Sequence, residues 1–239
     1  MPTCYETDKM KIALFSDVHA NHPAFEAFLS DLDREKLDAV YCLGDLIGYN
    51  IWPNEVIAEV RRRGIATLAG NHDLRTNEYA YELVAPDNRA FLSTLPAHIK
   101  LEYRLHDQNI TIVMAHGSTR SINEYVLEEL DENYILEMMR EAKADVLCVG
   151  HSHKPYHRVL RDADKVKHVI NIGSVGKPKD GNPHGCYVLL SIDEDCGLSD
   201  PQAVHVEFRR VPYDVEKAMQ AIFDSPLPDE LASRLLNAN

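Results

Sequence analysis

The sequence predicts an α/β fold in which two β-sheets pack together and helices cover them. Three observations lead there. Short apolar runs rich in β-branched residues alternate with helical patterns through the first 150 residues, the order of a layered fold with right-handed parallel crossovers. The second half is strand-rich, with few helices between its strands. Five of the apolar runs end in Asp, Asn or His, and in open α/β sheets ligands bind just outside the carboxyl ends of the strands.

Each element follows from its local pattern. Ile12 to Phe15 reads as a buried strand. Pro23 then opens a helix that places Phe25, Phe28, Leu29 and Leu32 on one face. Ala39 to Leu43 is the second strand. Pro53 starts a helix carrying Val56, Ile57 and Val60 inward, and Gly64 stops it. Ile65 to Ala69 is the third strand. Leu101–Leu105 and Ile110–Ala115 form a hairpin across the turn-rich His106-Asp107-Gln108-Asn109. Tyr134, Ile135, Met138 and Met139 mark a helix before the strand Val146–Val149. Three strands follow, His168–Ile172, Tyr187–Ile192 and Val204–Phe208. Two short helices after Asp214 and Pro228 close the chain. With no repeat, low-complexity tract or composition break, the expectation is a single domain over residues 1–239.

Composition narrows the function. Lys plus Arg number 25 and Asp plus Glu 38, a net charge of −13. Such a field repels long polyanions, so long nucleic acid is not an expected partner. A small phosphorylated substrate, met by local cations, remains compatible. Cys4, Cys42, Cys148, Cys186 and Cys196 are odd in number and lack C-x-x-C spacing, so a reduced, cytoplasmic protein without a thiolate zinc site is expected. Neither a signal peptide nor a run long enough to cross a membrane is legible.

The chemistry lies at the strand ends: Asp17-Val18-His19, Gly44-Asp45, Gly70-Asn71-His72-Asp73, His116-Gly117 and Gly150-His151-Ser152-His153. Singly, each has a plain structural reading. Asp17 could cap the next helix, Gly44-Asp45 could be a turn, and His116 could simply end its strand. The run Asn71-His72-Asp73 is harder to explain by packing. Together, in this order, they outline a metal centre.

That ordered set resembles the calcineurin-like metallophosphoesterases, over about positions 11 to 193, with every signature position filled. Asn171-Ile172-Gly173-Ser174-Val175-Gly176 and Gly44-Asp45-Leu46-Ile47-Gly48-Tyr49 are similar to its small prokaryotic branch. The resemblance implies a four-layer α-β-β-α sandwich and two divalent ions, bridged by Asp45. Asp17, His19 and His153 would complete one metal's ligands, and Asn71, His116 and His151 the other's. Imidazole, carboxylate and amide oxygen suit Mn, Fe, Zn, Co or Ni, without choosing among them. Such a pair can clamp both oxygens of an in-line phosphoryl displacement and lower the pKa of a bridging water. In the family the residue matching His72 is a general acid facing the leaving group, with the neighbouring carboxylate, here Asp73, orienting its ring.

Other residues are read more plainly. His22 lies within possible reach of substrate. Lys177 and His184 read as solvated loop residues, and His98, His106, His157, His168 and His205 as surface or strand residues. The superfamily's protein phosphatases carry an Arg before Gly-Asn-His-Glu, whereas this chain has Ala69 and Asp73. Losing that guanidinium removes a bidentate phosphate clamp. A small phosphodiester or phosphomonoester is the expected substrate, with a protein or nucleotide phosphatase as the alternative. A non-catalytic scaffold, as in trafficking-complex relatives that have lost part of the metal set, is disfavoured by the complete motifs.

Overall fold

The computed structural model describes residues 10–105, 108–193 and 196–239. The expected loop residues His106 and Asp107, and Cys4, lie outside them. In chain order the elements are β1 (Met10–Phe15), α1 (His22–Leu32), β2 (Ala39–Cys42), α2 (Pro53–Arg62), β3 (Ala66–Thr67), α3 (Tyr79–Glu82) and α4 (Pro86–Leu92). Next come β4 (His98–Leu105), β5 (Gln108–Ala115), α5 (Glu132–Ala142), β6 (Val146–Val149), β7 (Tyr156–Asp162) and β8 (Lys165–Asn171). The chain finishes with β9 (Gly185–Ile192), β10 (Val204–Val211), α6 (Val215–Phe223) and α7 (Glu230–Asn237).

Among the described residues ten strands form two five-stranded mixed sheets, ordered β10-β9-β1-β2-β3 and β4-β5-β6-β8-β7. Strands β1, β2 and β3 run parallel, as do β5, β6 and β8. The inner faces interdigitate through Ile12, Leu14, Met114, Cys148, Ile170 and Leu190, all buried. Helices α1, α2 and α4 cover the first sheet through Phe25, Phe28, Val56, Ile57 and Leu92. Helix α5 covers the second through Ile135, Met138 and Met139. The sandwich flanked by helices is therefore present as expected. Among the described residues no helix is long and apolar enough to cross a membrane.

Local chemistry sets the boundaries. Pro23 sits in the first turn of α1, and Asn21 caps it by accepting from Ala24 N at 3.2 Å. Strand β3 is shorter than Ile65–Ala69 because the chain leaves the ladder: Ala69 N donates to Pro96 O at 2.8 Å. Strand β7 and the short helices α3 and α4 were not anticipated. Asn54 ties the latter two down, its side chain bonding Leu83 O, Ala85 N and the Asn88 amide.

Candidate metal centre

All five motif-bearing strands point their carboxyl ends at one edge of the sandwich, so the loops after β1, β2, β3, β5 and β6 meet there. Asp17, His19, Asp45, Asn71, His72, Asp73, His116, His151 and His153 are all buried. Three clusters have ligand atoms within 4.8 Å of one another: Asp17, His19 and His153; His19, Asp45 and His72; and Asp45, His116 and His151. Asn71 joins through Oδ1, 3.0 Å from His116 Nε2. The seven residues expected as ligands are thus brought together, with Asp45 facing His19 at 3.7 Å and His116 at 3.3 Å.

The backbone is bent hard to deliver them. Asp17, His19, Asp45, His151 and His153 all adopt left-handed φ between 50° and 64°. Non-glycine residues there cost about 1–3 kcal/mol each and cluster at functional sites. The two motif glycines meet back to back. A Cβ on Gly44, whose φ is 89°, would lie 2.3 Å from Gly70 N, and one on Gly70 would lie 2.1 Å from Asp45 Oδ1.

Hydrogen bonds fix the imidazole tautomers. His19 Nδ1 donates to Ile47 O at 3.0 Å, His116 Nδ1 to Leu43 O at 2.8 Å, and His153 Nδ1 to Lys177 O. A carbonyl only accepts, so each Nδ1 carries a proton, and whenever the ring is neutral its Nε2 presents the lone pair inward. His19 and His153 therefore face one another across 3.1 Å between Nε2 atoms. Asp17 Oδ1 and Asp45 Oδ2 are buried without a hydrogen-bond donor. Lone pairs converging with too few protons between them fit divalent cations, and hard oxygen with imidazole is a suitable donor set.

The charge states agree. Burial opposes ionisation of Asp17 and Asp45, yet the surrounding histidines hold both carboxyls below the ordinary range. Burial presses His19 down to about 3 and His151 to about 4, leaving both neutral. His116 is the exception. Against the cost of burial, the Asp45 carboxylate raises it to about 10.

Asp73 does not stand where the resemblance implied. Its carboxylate accepts backbone N–H groups from Asp45 (2.8 Å), Leu46 (2.9 Å), Ile47 (3.3 Å) and Gly70 (2.9 Å). It therefore clasps the loop after β2 to the loop after β3. Burial and the neighbouring Asp45 push it up to about 7 against those donors. The carboxylate that meets the His72 ring is Glu78, with Oε2 2.7 Å from Nδ1. Arg75 holds Glu78 from the other side at 3.0 Å.

Lys177 is also corrected: it is buried, not solvated. Its Nζ lies 5.0 Å over the Tyr49 ring, and burial depresses it to about 8. Tyr49 in turn packs on His19 and His72, each 4.7 Å between ring centroids. Tyr125, half exposed, stacks on His151 at 4.2 Å. No motif signalled Glu78 or Tyr125, which lie in loops or at a helix start, and Tyr49 ends the Gly44-Asp45-Leu46-Ile47-Gly48-Tyr49 motif without a role having been assigned to it. His22 is the first residue of α1, with Nδ1 3.6 Å from Glu26, and His184 is exposed.

Comparison with known proteins places this geometry. Residues 10–195 match the calcineurin-like phosphoesterase superfamily domain. An uncharacterised protein of Methanocaldococcus jannaschii is 29% identical, covering 95% of this chain and 98% of its own. The crystal structure of a metallophosphoesterase from Sphaerobacter thermophilus superposes with a TM-score of 0.76 at 26% identity, covering 97% of this chain and 100% of that one. A hypothetical protein from Pyrococcus horikoshii superposes at 0.79 with 19% identity, over 96% and 99% of the two chains, a likeness of fold alone.

Proposed function

Because the chain belongs to the calcineurin-like phosphoesterase superfamily, we propose that it is a dinuclear metal-dependent phosphoesterase acting on small phosphodiesters or phosphomonoesters. The observation that carries this reading is the convergence of Asp17, His19, Asp45, Asn71, His116, His151 and His153, with two buried carboxylate oxygens lacking donors. Asp17, His19 and His153 would hold one ion and Asn71, His116 and His151 the other, with the Asp45 carboxylate available to both. Two such ions supply Lewis acidity toward phosphoryl oxygens and lower the pKa of a water toward neutrality. The chain's own contribution is orientation and proton transfer. Backbone carbonyls aim three imidazoles, the Asp73 clasp fixes two loops, and His72, held by Glu78, donates a proton to the departing alcohol. The three buried thiols of Cys42, Cys148 and Cys186 suit a reducing, cytoplasmic setting.

Diesters are the favoured class. A monoester dianion calls for cations beside the metals, and few are near: Arg75 pairs with Glu78 and Lys177 is buried over Tyr49, which leaves Lys179, whose ammonium feels the Asp17 and Asp45 carboxylates. Two divalent ions less the charges of Asp17 and Asp45 leave about +2, which suits a monoanion. The test reconstitutes the protein with Mn²⁺ and assays bis-p-nitrophenyl phosphate against p-nitrophenyl phosphate. A higher kcat/KM for the diester is expected. A clear monoester preference overturns the substrate class, and turnover of neither overturns the enzymatic reading.

A further inference from the structure

A pocket of about 280 Å³ lies against His72, and part of its wall comes from outside the family domain. Tyr49, His72, Tyr79 and Ala80 line it together with Leu227 and Leu231. The two leucines belong to the C-terminal helical hairpin, beyond the residues 10–195 that match the superfamily. Ala218, Ile222, Ala232 and Leu235 form the hairpin's own buried core, and Leu227 and Leu231 are only partly buried against it. Each leucine therefore keeps surface to offer the pocket.

The hairpin is fastened to the rim of the metal centre. Helix α6 packs on α1. Asn21 Nδ2 donates to Tyr213 Oη at 3.2 Å, just before α6. At the far end, Gly181 N donates to Ala238 O at 3.1 Å and Lys177 Nζ to Asn239 O at 3.3 Å. Both partners sit in the loop that also orients His153. The leucines are thus held at a set place beside His72 and not on a loose tail.

A proton donor must lie against the leaving oxygen, so the space beside His72 is where the departing alcohol has its body. The two charged groups at that pocket, Arg75 and Glu78, neutralise each other at 3.0 Å, leaving no unmatched charge for a second anionic group. Leucine and tyrosine surface rewards an apolar or aromatic body instead. Resting on the phosphoesterase reading above, we infer that the C-terminal hairpin builds a leaving-group subsite selecting phosphoesters of alcohols that carry an uncharged aromatic ring.

Benzyl and ethyl esters test this, because their leaving alkoxides are similarly poor and differ in the ring. They are compared both as monoesters and as methyl diesters, on Mn²⁺-loaded protein. The wild type is expected to favour benzyl by about tenfold or more in kcat/KM, the scale of one apolar group in a fitted pocket. Leu227→Ser with Leu231→Ser should bring that ratio toward one. Leu231→Phe, which narrows the pocket without adding a polar group, should do the same and serves if the double variant fails to fold. Calorimetry with benzylphosphonate and ethylphosphonate gives a readout that needs no turnover. Tighter binding of benzylphosphonate, lost in the variants, supports the subsite even if no ester is hydrolysed, a result that would sink only the catalytic reading. Turnover or binding with no benzyl preference, or a preference unchanged in both variants, overturns the subsite.

Discussion

The division of labour between Asp73 and Glu78 is the sharpest lesson at the scale of single residues. Asp73 follows His72 in the chain, and the family resemblance made it the partner for the ring. In space its two oxygens are occupied by four backbone N–H groups, and Glu78 takes the ring. That the seven candidate ligands would converge was legible, because a run of polar residues after an apolar strand has few packing uses. The groups orienting them were not, since backbone carbonyls and a residue six positions on leave no motif. Two substitutions separate the roles. Glu78→Ala should lower kcat by about tenfold or more while metal content and melting temperature hold, since a misaimed general acid loses part of its 10²–10⁴-fold effect. Asp73→Asn should instead cost about 2–3 kcal/mol of stability, because its amide would face N–H donors with donors of its own. Unchanged turnover in the first, or an unchanged melting temperature in the second, contradicts the assignment.

At the scale of elements, long periodic segments were readable and sheet edges were not. Helices α1, α2 and α5 appear where their apolar spacing put them, because one face must meet a sheet. Strand β7 escaped because Tyr156–Asp162 is an edge strand whose alternation is masked by His157, Arg158 and Arg161. Its partner β8 buries His168, two residues before Ile170 on the inner face, with Nδ1 3.0 Å from His157 Nε2. Burial, and then the neighbouring His157, depress His168 to about 4. The folded pKa lies below the unfolded value of about 6.5, so His168 carries no penalty above that pH. As pH falls from 6.5 toward 4, the unfolded chain takes a proton that the folded one refuses, and stability drops. Between pH 7.5 and 5 this amounts to about 2 kcal/mol. His168→Gln should flatten the fall by that amount in urea titrations at the two pH values. Parallel curves for wild type and variant would show that His168 is not the group responsible.

The whole molecule can be understood as a device for holding like groups together. Two sheets with parallel central strands bring five loops to one edge, and five of the residues delivered there sit in left-handed backbone. That strain, together with buried carboxylates lacking donors, is sustained by the packed layers beneath and leaves the centre short of positive charge. Near neutral pH the electrostatic balance leaves Asp17 and Asp45 ionised and His19 and His151 neutral, the states that metal ligation requires. His116 is in the wrong state, protonated, since, against the cost of burial, the Asp45 carboxylate raises it to about 10. A cation bound by Asn71, His116 and His151 beside Asp45 must therefore displace that proton. Loading the protein with Mn²⁺ at pH 7 should release about one proton per chain, and apparent affinity should climb with pH from neutrality toward 10. Isothermal titration in two buffers of different ionisation enthalpy measures the release directly. Asp45→Asn should abolish it along with much of the affinity, because the charge that retains the proton would also be the carboxylate offered to both ions. The same loading should raise the melting temperature, by about 2.7 kcal/mol of added stability at a hundredfold excess over Kd. Metal binding without proton release at pH 7 would mean that His116 is already neutral, and that the polarity of the centre is set by groups other than Asp45.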